Sequence, residues 1–377
     1  MTVSLKDGLK LVGISIICAC AVFVCTFFLS YYLDALSVRE KVAEEAIPLY
    51  ESQLLSSKLT CLISGLCLVL VCVVLLLFYV KLYLDGHAKQ IGILKALGYA
   101  NGKIALGFWV FGLSVLLGCA VGFGGGYAMT PVIYHQMDGK GLPEIPITFH
   151  WELFVCFVIL PAFLFAALAV LYAYIKLRLP ASELLRGKTE LAKGKAHIAK
   201  KERPFLRELF WETLRTRKAL AFFVAFACFC FSAMLQMSVS MMDLASATMG
   251  GIVLGIGVLL AVMSLLLAFT AITASNEKTV AVMRANGYTP VQCGGAVLGG
   301  YHIPAAVGFA VGTVYQYGIL RLMVDLVFKG VEEMKAYSFD VETFFIVLAA
   351  FIVLFELAVC AFTYKMGKAS IRKLTAE

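Results

Sequence analysis

The sequence predicts an all-α integral membrane protein in which eight transmembrane helices form two parallel four-helix repeats. Both termini are expected in the cytoplasm, joined by short extracytoplasmic loops. Three observations carry this reading. Of the 377 residues, 61% are apolar and 15% charged, with a mean hydropathy of +0.90, whereas charged residues supply about a quarter of a soluble domain. Eight stretches reach the roughly 20 apolar residues needed to cross a bilayer core. One polar-flanked motif recurs in the second half of the chain at a constant offset. Secreted enzymes, cytosolic enzymes and disordered scaffolds are thereby excluded; transporter, channel, membrane enzyme and membrane-embedded regulator remain.

The spans are expected at residues 11–33, 59–80, 104–133, 153–175, 219–241, 252–274, 291–320 and 344–364. The first is of full span length and no A-x-A-like site follows it, so it reads as a retained signal anchor. The third and seventh are longer than a perpendicular crossing requires and should tilt or project. With the N-terminus inside, 25 of the 32 Lys and Arg fall on the inner side, as the positive-inside rule demands. The net charge of +8 follows from this topology plus attraction to anionic lipid, and no nucleic-acid partner is needed.

The repeat is visible residue by residue. Ile91-Gly92-Ile93-Leu94-Lys95-Ala96-Leu97-Gly98-Tyr99 aligns with Val280-Ala281-Val282-Met283-Arg284-Ala285-Asn286-Gly287-Tyr288, each copy lying between a span and one of the two long spans. Ala181-Ser182 matches Ala369-Ser370 near the end of each half. Inside the long spans, Gly118, Gly122 and Gly126 resemble Gly308 and Gly312. The domains are therefore residues 1–188 and 203–377, separated by a Lys- and Ala-rich cytoplasmic linker at 189–202. Phe205, Leu206, Leu209, Phe210 and Leu214 then recur at helical spacing, as in a helix along the inner leaflet or an extension of the fifth span.

The recurring motif is a short apolar segment outside the bilayer, with Lys89, Lys95 and Lys103 around it. Such a face must bury itself on something. A groove on a partner protein is one answer; resting on lipid headgroups is the other.

Within the spans, Glu356 is the one acid set squarely in a bilayer-crossing stretch, at an insertion cost of about 2.5 to 3.5 kcal/mol. At about 1.5 Å per residue, His302 and Glu356 lie at similar depth, about 12 to 17 Å from the inner end. They are expected to approach each other facing the protein interior, as a charged latch, a substrate contact, or a carboxyl satisfied by a main-chain carbonyl. The glycine ridges permit close helix approach and are placed near the interface between repeats. Pro161 and Pro304 should kink the fourth and seventh spans. The twelve cysteines lie in or beside spans; Cys18-Ala-Cys20 and Cys228-Phe-Cys230 lack nearby His or carboxylates, so they read as packing groups and no metal is expected.

The phrase Lys89-Gln90-Ile91-Gly92-Ile93-Leu94-Lys95-Ala96-Leu97-Gly98, the glycine-rich span after it and Pro180-Ala181-Ser182-Glu183-Leu184-Leu185-Arg186 resemble the FtsX-like permease family. This is the membrane module of MacB-type, or type VII, ABC transporters, present here as two domains. The resemblance implies a multi-pass permease of a bacterial inner or plasma membrane, worked by a separate cytosolic ATP-binding subunit, expected in two copies. ATP and Mg would bind that partner, since this chain has no Gly-x-x-x-x-Gly-Lys-Ser/Thr loop and no catalytic residue of its own. ATPase coupling would fall on Gln90, Ile91, Gly92, Ile93, Leu94, Lys95, Ala96, Leu97 and Gly98. In the second copy it would fall on Val280, Val282, Met283, Arg284 and Gly287. A position usually acidic in the family is Gln90 here and Thr279 in the second copy, with Glu277 as a substitute two residues earlier.

Family members commonly carry a large extracytoplasmic domain after the first helix, but residues 34–58 form only a short loop. A lipid-like or amphipathic peptide cargo, exported or extracted from the membrane, is therefore expected. The alternative is a module of the same family that senses antimicrobial peptides or transmits motion without moving cargo. An ATP-independent carrier ranks last, because its polar groups would be few and its repeats parallel. Cargo, direction of movement and the presence of a second permease chain stay open.

Overall fold

The computed structural model describes residues 5–39, 87–137, 145–178, 217–244, 247–327 and 339–368, with scattered positions between 42 and 84 and at 180, 208, 211 and 214. Among the described residues every regular element is helical. Seven helices there are long and apolar enough to cross a membrane: Val12–Leu36, Asn101–Pro131, Trp151–Lys176, Lys218–Ser240, Leu254–Ser275, Pro290–Leu322 and Val341–Gly367. The expected span at 59–80 falls mostly outside the described residues, as do the linker at 189–202 and most of the segment after it.

The chain divides into two compact units. One comprises Met1–Arg186 with Ala245–Val253 and Gly318–Ser338; the other comprises Gly187–Leu244, Leu254–Tyr317 and Phe339–Glu377.

In the first unit, α1 (Leu5–Leu36) is apolar all round, as a helix surrounded by lipid and protein must be. Helix α2 (Ala88–Ala96) is short. Helix α3 (Asn101–Leu106) runs through a 3₁₀ turn at Gly107–Trp109 into α4 (Val110–Met137). Helix α5 (Trp151–Phe154) passes through a π turn at Val155–Ile159 into α6 (Leu160–Lys176). Helix α4 lies along α1 and against α6. A Cβ on Gly118 would strike Ser15 O, one on Gly122 would strike Ala19 O, and one on Gly126 would come within 3.2 Å of Thr26 Cβ. With these backbones so close, Ser15 Oγ can donate across to Ser114 O at 2.8 Å.

The second repeat follows this plan, with its residues 247–253 and 318–327 counted in the first unit. It contains α7 (Lys218–Leu244), α8 (Ala247–Ser275), α9 (Glu277–Ala285) and α10 (Pro290–Leu298). A 3₁₀ turn at Gly299–Tyr301 leads into α11 (His302–Val327), followed by α12 (Val341–Lys368). Gly308 packs on Ala225 and Gly312 on Phe229 and Ser232. Beyond the glycines the seam turns polar. Gln236 Nε2 donates to Ser232 Oγ and Thr313 Oγ1, both at 2.8 Å, and Gln316 Nε2 donates to Ser240 Oγ at 3.3 Å. Hydrogen bonds of this kind fasten helices where lipid offers no competing partner.

One expectation is corrected. The glycine ridges join the third span of each repeat to its own first span, and do not mark a boundary between repeats. Glycine spacing tells that a backbone approaches, not which one. Pro161 lies directly after the π turn and Pro304 directly after the 3₁₀ turn, each within a continuous helix.

At the far end of the first unit from α2, the fully buried Asp34 side chain collects three donors. Its carboxylate takes Tyr134 OH at 3.0 Å and His150 Nε2 at 2.9 Å, and Thr148 Oγ1 also bonds it. The His150 main-chain N–H donates to Tyr127 OH at 3.0 Å. Tyr31, Tyr50 and Tyr134 pack there with Phe27 and Ala35, so α1, α4 and the segment entering α5 are knotted together.

Candidate functional site

The recurring motif forms α2 in the first unit and α9 in the second, and the two are built alike in four respects. Each helix is entered at a residue with the same backbone, His87 at φ −109° and Asn276 at φ −108°. In each case its side chain reaches the carbonyl four residues back: His87 Nδ1 lies 3.0 Å from Tyr83 O, and Asn276 Nδ2 donates 2.9 Å to Ile272 O. Each side chain thus adds a second bond to the carbonyl that already accepts its own residue's main-chain N–H, where the preceding helix ends.

Each helix is also left in the same way. Gly98 has φ +89° and Gly287 φ +86°, the left-handed conformation in which glycine carries no steric cost. Tyr99 N–H returns to Leu94 O and Gly98 N–H to Lys95 O; Tyr288 N–H returns to Met283 O and Gly287 N–H to Arg284 O. This pair of bonds is the Schellman ending. The extended Ala100 or Thr289 then starts the next helix, with Thr289 and Gln292 forming a reciprocal capping box.

Finally, a cation ties each short helix to the end of the fourth span of its own repeat. Lys95 Nζ donates to Leu177 O at 2.7 Å, and Arg284 Nη1 donates to Met366 O at 3.0 Å. The carbonyls at a helix C-terminus have no intrahelical partner and carry the negative end of the helix dipole, so a cation is the side chain suited to hold them.

The motif residues therefore do different work. Ile91, Gly92, Val280 and Met283 are buried and seat the segments in their own units. Leu94, Lys95, Glu277 and Arg284 are half-buried. Gln90, Ile93, Ala96, Leu97, Gly98, Val282 and Gly287 are exposed. Leu97 is 70%, Ile93 52% and Tyr99 53% exposed, against 61% for Val282. An apolar face thus projects from each segment, broader in the first copy because Asn286 stands where Leu97 does.

A fifth contact at this end of the second unit was not legible in the sequence. Arg217, just before α7, donates to the main-chain carbonyl and hydroxyl of Ser275 at the end of α8. Burial lowers the Arg217 pKa from its ordinary value, as expected for a cation withdrawn from water. The His87, Asn276, Leu177 and Met366 contacts were likewise invisible, since all four end on main-chain carbonyls that any sequence would supply. The one available signal was the recurrence of a cation at Lys95 and Arg284.

The intramembrane pair lies elsewhere. His302 Nε2 is 2.9 Å from Glu356 Oε1, the approach that equal depth predicts. Its setting is not the expected interior, because the two side chains are 44% and 54% exposed.

A family model described as FtsX-like permease C-terminal matches the chain twice, at residues 62–180 and 251–371. Each match contains one of the two short helices and the spans on either side of it. No curated protein and no solved structure matches the chain.

Proposed function

The chain belongs to the FtsX-like permease family, and from that premise we propose that it is the membrane subunit of an ATP-binding-cassette machine. Two cytosolic ATPase subunits, holding the ATP and Mg, grip the segments at Ala88–Ala96 and Glu277–Ala285; this chain contributes no ATPase chemistry. The membrane is a bacterial cytoplasmic membrane, with the Lys- and Arg-rich ends and both termini inside. The cargo is a lipid-like or amphipathic molecule exported or extracted from the bilayer.

The observation that supports this reading most directly is the fourfold likeness of α2 and α9. Each presents an apolar face outward, Ile93 with Leu97 or Val282, while its cation grips the fourth span. A push on the segment is delivered along two routes. One runs through Lys95 or Arg284 to the end of α6 or α12. The other runs through the Gly98 or Gly287 turn into the long third span, whose glycine ridge bears on the first. Packed helices pass such displacements on because their interfaces yield in steps.

The test is affinity purification of the tagged chain in mild detergent, with mass spectrometry and an ATPase assay on what accompanies it. Leu97→Asp combined with Ile93→Asp places charges on the exposed face without touching the buried Ile91. We expect an ATP-binding subunit to co-purify with the unmodified chain and to be lost, at least tenfold, from the variant. Absence of any ATPase from the unmodified chain across several detergents would remove the motor and overturn the reading.

A further inference from the structure

The third and fourth spans meet within each repeat, and they do so through opposite chemistry. In the first unit a Cβ on Gly112 would lie 2.5 Å from Ala166 Cβ, so α4 and α6 touch through the smallest side chains available. In the second unit the side chains of His302 and Glu356 bridge α11 and α12 at 2.9 Å.

The protonation of this bridge follows from its partners. His302 Nδ1 is 2.9 Å from Gly299 O, a carbonyl that can only accept, so Nδ1 carries a hydrogen. The contact between Nε2 and Oε1 then holds one proton. Both imidazole nitrogens are thus engaged. Among the described residues the second carboxyl oxygen of Glu356 has no hydrogen-bond partner, which leaves the bridge an acceptor with no donor to offer.

Its surroundings are apolar. On α12, Phe345, Ile346, Ile352, Val353 and Leu357 are all between 52% and 62% exposed, and Glu356 is the only carboxyl from Phe345 to Tyr364. Lys365, nine positions on, marks the end of the span, which puts Glu356 about 13 Å further in along the helix. A lipid in its resting place keeps its head at the span's end, so a polar head at the depth of Glu356 belongs to a molecule in passage.

We propose that Glu356, held in place by His302, is the intramembrane contact for the polar head of an amphiphile bearing an amine. The amine supplies the N–H donors that the open oxygen lacks, and its charge complements the carboxyl. An anionic head would find no donor. The exposed α12 stripe receives the apolar tail. Naming this molecule as cargo rests on the permease reading above, but amine binding and ATPase capture are separate measurements and can fail separately.

The experiment uses the full chain in phosphatidylcholine nanodiscs and measures saturable binding of hexadecylamine, hexadecyltrimethylammonium and hexadecanoate. His302→Gly with Glu356→Ala replaces the bridge by side chains as small as those that Gly112 and Ala166 bring together in the first repeat; Glu356→Gln is the isosteric second variant. We expect hexadecylamine to bind at least tenfold more tightly than the other two probes. That binding should weaken at least tenfold in the double variant and at least fivefold in Glu356→Gln. Equal binding of all three probes, or hexadecylamine binding unchanged in both variants, would overturn the proposal. So would efficient disulfide cross-linking in membranes between the exposed Cys360 residues of two copies carrying Cys156→Ala, because the face would then belong to a second chain.

Discussion

Lys95 is bonded to Leu177 across 82 residues of sequence, its Nζ donating 2.7 Å to the carbonyl that ends the fourth span of the first repeat. The second repeat makes the same bond with a different cation, Arg284 to Met366 at 3.0 Å. Lysine and arginine differ in shape and hydration, so what the two copies preserve is the charge-assisted donor and its target, a helix C-terminus.

Removing that donor should free the short helix without unfolding the chain. A hydrogen bond from a charged group contributes about 1.5 to 3 kcal/mol, which is roughly a ten- to hundredfold change in local opening. In Lys95→Met, amide exchange over residues 91–99 should accelerate at least tenfold while the melting temperature in detergent moves by only a few degrees. Lys95→Arg should restore protection. Unchanged exchange in Lys95→Met would show that the buried Ile91 alone seats the segment.

How much of this was legible depends on what kind of group makes each contact. The repeat could be read because Gly98 and Gly287 are required by a left-handed turn that few other residues tolerate, and because Ile91 and Val280 occupy buried positions. The Lys95–Leu177 tether could not, since its acceptor is a main-chain carbonyl. Depth in the bilayer brought His302 and Glu356 together, as counting residues along two helices can. Their exposure was hidden, because helical rise fixes height and leaves azimuth open. The glycine ridges were visible, but their partners Ser15, Ala19 and Ala225 lie on a first span with no complementary signature.

Those ridges give a sharp contrast within one helix. A methyl at Gly122 would meet the Ala19 main chain, whereas one at Gly124 would meet nothing within 4 Å. Gly122→Ala should therefore cost about 1 to 3 kcal/mol, the usual penalty for overfilling a packed contact, and lower the melting temperature in detergent by several degrees. Gly124→Ala should leave it unchanged or raise it, since alanine is the better helix former. Equal tolerance at both positions would mean that α1 and α4 can separate at little cost.

Asp340 offers a pH-dependent test at the start of α12. Its carboxylate accepts from the main-chain N–H groups of Glu342 at 3.0 Å and Thr343 at 3.3 Å, and from the Thr343 hydroxyl. These bonds, the Thr343 hydroxyl foremost, hold its pKa below the ordinary 3.8. A carboxylate with a depressed folded-state pKa stabilises the fold above its unfolded value, and that contribution is lost as pH falls through the depressed one. Protection of the first turn of α12 should accordingly be flat from pH 7 to pH 5 and decline below about 4. Asp340→Asn should abolish the decline, and Asp340→Ala should fray the turn at every pH, at a cost of about 0.5 to 2 kcal/mol.

The Asp34 cluster gives the most stringent test, because a buried carboxylate tolerates the loss of a donor poorly. Tyr134, Thr148 and His150 satisfy Asp34 together. Burial raises the Tyr134 phenol pKa well above its ordinary value, and the neighbouring Asp34 carboxylate adds to this, so the hydroxyl remains a donor throughout the neutral range. Tyr134→Phe deletes only that hydroxyl and should destabilise the chain by about 1.5 to 3 kcal/mol. Asp34→Leu removes the charge but strands three donors, so it should also be costly. The double variant should be less damaging than the two single costs added together, by at least about 1 kcal/mol. Thermal melting of the four proteins in one detergent measures that coupling. Strict additivity would mean that Tyr134 supports this end of the unit through ring packing alone. His150→Gln, which keeps a donor, should be milder than His150→Ala if the imidazole serves Asp34 as a hydrogen-bonding group.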